Sequence, residues 1–154
     1  MVHYQAPIGS YAFLFHDVFR VEHLPGLPGA AEFTRDTTEA VLEEAGRLAV
    51  ERFLPLNAAG DRAGCTRTNG VVVTPSGFKG AYDAFAQGGW IGLAANPAYG
   101  GQGLPYALGT AVNEVVTAAN MALAMVPGLT MGAIAAIAAN GTEEQKQFYL
   151  PNML

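Results

Sequence analysis

Apolar residues recur at helical spacing from near the start of the chain, with Tyr11, Leu14, Phe15, Val18 and Phe19 on one stripe within residues 10–19. The Pro25-Gly26 and Pro28-Gly29 pairs then break the pattern, so a short lead-in helix and a loop are expected over residues 1–29. A stronger helix is expected from Asp36, with Asp36 and Glu39 spaced as a cap pair and Val41, Leu42, Ala45, Leu48, Ala49 and Phe53 forming one apolar face. On its other side Glu43, Arg47 and Glu51 alternate at i,i+4, where each pair adds about 0.2–0.5 kcal/mol. Pro55 is expected to stop this helix after Leu54.

The next segment, Cys65 to Thr74, places Asn69-Gly70 between two short runs rich in threonine and valine. That is the signature of a small hairpin with a type I′ turn, because both turn residues tolerate positive φ. Thr74 and Pro75 are expected to cap and open another helix carrying Phe78, Ala81, Tyr82 and Phe85, which Gly88-Gly89 ends. Further helices are expected at about 104–119, 120–139 and 142–150. The last begins on the capping pair Thr142 and Gln145 and ends at Pro151, while Gly141 closes the helix before it. Residues 115–141 carry no charge, a length that raises the question of a membrane span. The Pro127-Gly128 pair in their middle argues instead for two buried core helices meeting there, sealed on all sides by protein. The fold class expected is all-α, a helical bundle with a small β-hairpin near residues 65–74.

Composition narrows the function classes. A chain of 154 residues, 51% hydrophobic and 14% charged, suits a single ordered domain and is rich in apolar side chains for one that stands alone. Some apolar surface is therefore expected to face another domain or subunit. A net charge of −5 without clustered Lys or Arg argues against nucleic acid. The single cysteine, Cys65, cannot form an internal disulfide, and no basic and apolar leader opens the sequence, so a cytoplasmic location is expected.

Most chemical candidates read as structural. Gly101-Gln102-Gly103 lacks the third glycine of a dinucleotide fingerprint, since Tyr106 stands there, and lacks a following Lys-Ser/Thr, so it reads as a turn. His3, His16 and His23 match no compact metal spacing, and no metal site is expected. Glu43, Glu44, Glu143 and Glu144 sit on charged faces or in first helical turns. Glu114, isolated among apolar neighbours, suits a partner for another domain better than a general base. Functional weight falls on Ala124 to Met131, where Gly128 leaves a gap between the flexible apolar side chains of Met125 and Leu129. By spacing alone these residues read more readily as fillers of the bundle core.

Three motifs in a shared order, Trp90-Ile91-Gly92-Leu93, Tyr99-Gly100-Gly101-Gln102-Gly103-Leu104-Pro105 and Gly141-Thr142-Glu143-Glu144-Gln145-Lys146-Gln147-Phe148-Tyr149-Leu150-Pro151, resemble the N-terminal helical domain of the acyl-CoA dehydrogenases. Within that family Tyr4-Gln5-Ala6-Pro7 and Val126 to Thr130 resemble the branch of the 3-methylmercaptopropionyl-CoA dehydrogenases. The resemblance covers nearly the whole chain. It implies a lead-in at 1–29 and the helical N-terminal domain at 30–154, with the β and C-terminal domains of the family absent.

For the complete enzyme the resemblance implies an FAD-dependent oxidation of acyl-CoA thioesters to 2-enoyl-CoA. A carboxylate would act as base, and an electron-transfer flavoprotein or similar acceptor and homo-oligomeric assembly are implied as partners. The flavin contacts and the base belong to the absent domains, so no catalytic or cofactor-binding residue is carried over and this chain alone is expected to be inactive. Met125, Gly128 and Leu129 match the helix start that lines the acyl pocket and are the expected substrate-binding residues. The rival expectation is a stand-alone helical binding module without catalysis.

Overall fold

The computed structural model describes residues 3–24, 26 and 29–154. The expected breaks at Pro25 and Pro28 lie outside them, while Gly29 takes a left-handed φ of 74° before a 3-10 turn at Ala30–Glu32. The lead-in is α1 (Ile8–Ala12), continued by π-helical turns over Phe13–Val18. It is anchored through Ala6, Ala12 and Val21, which are buried, whereas Phe13, Leu14, Val18 and Phe19 stay exposed.

α2 (Arg35–Leu48) is capped by Thr34 and not by Asp36 and Glu39. Extended backbone at Thr34 aims its hydroxyl at the Thr37 amide, 3.2 Å away, leaving Asp36 in the first turn where its charge suits the dipole. Pro55 does not stop the helix either. π-helical turns at Ala49–Phe53 lead directly into α3 (Leu54–Ala63), and Pro55 falls in the first turn of α3, where its fixed φ suits the helix.

The hairpin forms as expected, with β1 (Thr66–Thr68) antiparallel to β2 (Val71–Val73) and Arg67 opposite Val72. Asn69 and Gly70 have φ of 52° and 82°, both left-handed as the type I′ turn requires. All six strand residues are exposed. α4 (Phe78–Gln87) starts three residues later than Pro75. Gly77 forms its N-cap at φ 88°, and a Cβ there would lie 2.7 Å from a Leu56 methyl, so the chain must turn at Gly77 before the helix can begin.

α5 (Tyr106–Ala119) and α6 (Met121–Asn140) meet at Asn120. Its side-chain oxygen accepts from the Leu123 amide at 3.1 Å, and its amide donates 3.2 Å to the Phe53 carbonyl, tying the joint to the π-helical turns. The core lies among α2, α5 and the helices beside them, around Phe33, Leu42, Phe53, Phe85, Val115 and Leu123. The Phe53 and Phe85 rings sit 5.9 Å apart, tilted, a favourable aromatic pairing.

Two expectations about α6 are corrected. It is one continuous helix and not two, because Pro127 costs only the bond to the Leu123 carbonyl while Leu123, Ala124, Pro127 and Ile134 are buried together on the bundle. Nor is it sealed by protein. Met121, Met125, Val126 and Leu129 are exposed, and only 22% of its most apolar window is buried. Length and composition alone would let this helix cross a membrane.

α7 (Glu143–Met153) carries the expected capping box, with the Thr142 amide donating to Gln145 at 2.9 Å and the Gln145 amide donating to the Thr142 hydroxyl at 3.3 Å. Pro151 lies within this helix and does not end it. Asn152 donates a side-chain bond of 3.1 Å to the Phe148 carbonyl, and the Leu154 amide reaches Leu150 at 3.1 Å, so the last turn stays bonded around the ring.

Candidate functional site

Between α5, α6, α7 and the glycine-rich segment 90–104 runs an open groove of about 520 Å³. That size lies in the range of small-molecule sites. Its α6 wall is built mostly of small residues, with Gly128, Gly132, Ala135 and Ala138 beside the larger Met131 and Ile134. The α5 wall is more polar, presenting Tyr106, Thr110 and Asn113 at i, i+4 and i+7. Phe85, Trp90, Ile91, Leu93, Leu150 and Leu154 add to the apolar lining.

The glycine-rich segment is a folded support and offers no phosphate cradle. The amides of Gln102, Gly103 and Leu104 donate to the carbonyls of Gly92, Ala95 and Leu93 at 2.9, 2.9 and 3.0 Å, and the Gln102 side chain donates to Gly89 at 2.9 Å. Gly101 packs so closely on Ala95 that a Cβ would collide with its backbone. With these amides consumed, the loop does not fit a flavin diphosphate, which a helix-opening nest would need free donors to hold. The turn reading of Gly101-Gln102-Gly103 accords with this geometry.

The loop is tied to α7 through Tyr99, whose hydroxyl donates 2.9 Å to Glu143, while Lys146 donates to the same carboxylate at 3.0 Å. Lys146 first, then Tyr99, hold the Glu143 carboxyl below its usual range, and the Glu143 partner pushes the Tyr99 phenol up.

Of the residues expected to bind substrate, Gly128 lines the groove, and a Cβ added there would meet nothing within 4 Å. Met125 and Leu129 lie outside the lining, 59% and 74% exposed. At about 100° per residue they occupy the flank of α6 that continues outward from Gly128. The structure therefore joins Gly128 to a groove and leaves the other two on the adjoining open face.

The remaining candidates resolve as follows. His16 is buried, with Nδ1 3.0 Å from Glu22 and Nε2 2.9 Å from the Thr38 hydroxyl, which knits the lead-in to α2. Glu114 is exposed beside the lead-in, where burial first and then its carboxylate push the phenols of Tyr4 and Tyr11 up. Cys65 is exposed, and no group of three potential metal ligands exists among the described residues. The polar stripe of α5 was not singled out in the sequence. Its signal was there, in Tyr106, Thr110 and Asn113 recurring at helical spacing within an otherwise apolar helix.

This helical bundle with its open groove is an acyl-CoA dehydrogenase N-terminal domain: residues 35–154 match that domain family, and the chain belongs to it. It is similar to 3-methylmercaptopropionyl-CoA dehydrogenase of Ruegeria pomeroyi, 38% identical over 151 residues that cover 98% of this chain and 26% of the relative. It also resembles the broad-specificity linear acyl-CoA dehydrogenase FadE5 of Mycobacterium tuberculosis, 29% identical over 96% of this chain and 24% of that protein. The chain thus spans about a quarter of the length of these relatives. The first similarity accords with the branch read from the sequence, and it takes in the lead-in segment as well as the domain.

Proposed function

We propose that this chain serves as the N-terminal helical domain of an FAD-dependent acyl-CoA dehydrogenase, providing one wall of the acyl-chain pocket and a packing face for the domains that hold flavin and base. The observation that carries the reading is the groove beside Gly128, continuous with the exposed apolar flank of Met125 and Leu129. A shallow apolar trough open along one side accepts a linear chain once a second domain covers it. FAD would supply the hydride-accepting chemistry from elsewhere in the polypeptide, consistent with a glycine loop whose amides are already spent. An electron-transfer flavoprotein as acceptor, homo-oligomeric assembly and a cytoplasmic setting complete the proposal.

The test compares this chain with the longer polypeptide encoded by a reading frame continuing through it. The longer protein is expected to be yellow and to oxidise acyl-CoA with an artificial acceptor, and residues 1–154 alone to show neither property. A stoichiometric flavin spectrum from the short chain overturns the division of labour. In the longer protein Gly128→Leu is expected to cut kcat/KM for long acyl chains by roughly 10- to 200-fold while sparing short ones. Equal loss at all lengths would make Gly128 a packing residue. A natural stop codon after residue 154, with acyl thioester binding retained, would favour the stand-alone binding module.

A further inference from the structure

Among the polar side chains that α5 turns to the groove, Asn113 is the half-buried one with both a donor and an acceptor free to meet a ligand, whereas Tyr106 stands largely in solvent. Thr110 spends its hydroxyl proton on the Tyr106 carbonyl at 3.0 Å. The Asn113 amide, half-buried against the groove, has no hydrogen-bond partner among the described residues. Asn113 stands seven residues before the Asn120 joint and Gly128 eight after it, so each lies about 10–12 Å along its helix from the joint. The amide therefore stands at the same level of the groove as the gap left by Gly128, opposite a wall that offers no polar side chain of its own.

In the open groove water satisfies this amide. A plain alkyl chain laid along the α6 wall would expel that water and leave two N–H donors and a carbonyl unpaired, which costs more than the contact returns. A ligand with an oxygen at this level restores the bond. Resting on the acyl-pocket reading above, we infer that Asn113 is a specificity-determining residue that favours acyl groups bearing a hydrogen-bonding oxygen, a carbonyl or a hydroxyl, within the chain over unsubstituted alkyl groups of the same length.

The test titrates the longer polypeptide that carries this domain, in which the groove is covered, with three pantetheine thioesters: octanoyl, a mid-chain keto-octanoyl and the matching hydroxy-octanoyl. Binding is read by calorimetry and by the side-chain amide resonances of Asn113. Either oxygenated ligand is expected to bind about tenfold tighter than octanoyl and to shift the Asn113 amide protons, and the better of the two identifies the oxygen as carbonyl or hydroxyl. Asn113→Leu, close in size, is expected to erase the preference by weakening the oxygenated ligands and strengthening octanoyl, and Asn113→Gln to restore part of it. If all three bind with shifts at Gly128 but with equal affinity, the inference fails and the acyl-pocket reading stands. If none perturbs Gly128 or Asn113, both fail together. Should Asn113→Leu not fold, the wild-type shifts decide: an unmoved Asn113 amide in the presence of bound keto ligand overturns the proposal.

Discussion

The α2–α5 contact and the outward flank of α6 are built from the same kinds of side chain and have opposite fates. Leu42 and Ala45 of α2, with Ala49 and Phe53 of the π-helical turns that continue it, pack on the α5 side of the core with Val115, Val116 and Ala119, all without solvent exposure, whereas Met121, Met125, Val126 and Leu129 are each at least half exposed. Hydrophobicity alone does not decide burial. A two-sided interface requires a partner helix at the right distance, and the described residues supply one to α2 and none to the outer flank of α6. The difference teaches that burial follows from the neighbours a helix is given, and it leaves the α6 flank as a contiguous exposed apolar face, the kind of surface that marks contact sites.

The sharpest way to break the comparison is to truncate one residue on each side. Leu42→Ala is expected to destabilise the fold by about 2–5 kcal/mol in chemical denaturation, since a fully buried leucine leaves a cavity. Leu129→Ala is expected to change stability by less than about 0.5 kcal/mol, because the side chain is already in water. Equal losses would mean that α6 is covered in solution by something within this chain. Next in size, Asn120→Ala is expected to cost about 1–3 kcal/mol, since it removes an N-cap and leaves a buried carbonyl at Phe53 with a lost partner. A near-neutral melt would show that the joint is held by packing alone.

A subtler outcome concerns association. Sedimentation of the purified chain is expected to show self-association at high concentration, and the double substitution Met125→Ser and Leu129→Ser to shift it toward monomer without lowering the unfolding midpoint. A wild-type chain that stays monomeric removes the argument for an uncovered face. The smallest effect is electrostatic. Lys146 and Tyr99 depress the Glu143 carboxyl in the folded state, so its contribution is present above the ordinary carboxylate range and is lost as pH falls through its lowered folded value. Glu143→Gln is therefore expected to flatten the acid limb of the stability curve below about pH 4 and to leave neutral pH nearly unchanged. An unchanged acid limb would mean that the tie between the glycine loop and α7 does not persist in water.

Much of this was legible from local signals. The type I′ turn at Asn69-Gly70 and the box at Thr142 and Gln145 depend on a few neighbouring residues, so they form as the sequence indicates. The prolines misled because their effect depends on what precedes and surrounds them. Pro55 follows π-helical turns, Pro127 is buried together with Leu123, Ala124 and Ile134, and Pro151 falls in a final turn rescued by Asn152. At the candidate site, the gap at Gly128 could be read from composition. The polar stripe of α5 is likewise visible as spacing, but that it faces this gap is not, because that depends on how α5 and α6 pack against each other about Asn120.

By itself the sequence determined the all-α class, the hairpin, the capped ends and the family, since propensity, periodicity, turn chemistry and ordered motifs are properties of short segments. Only the tertiary structure decided which apolar faces find partners. It alone put Gly128 and Asn113 on the same groove while leaving Met125 and Leu129 outside. The reason is geometric: a helix with apolar residues all round has no preferred face until its neighbours are in place, and burial then follows from which neighbours the chain provides.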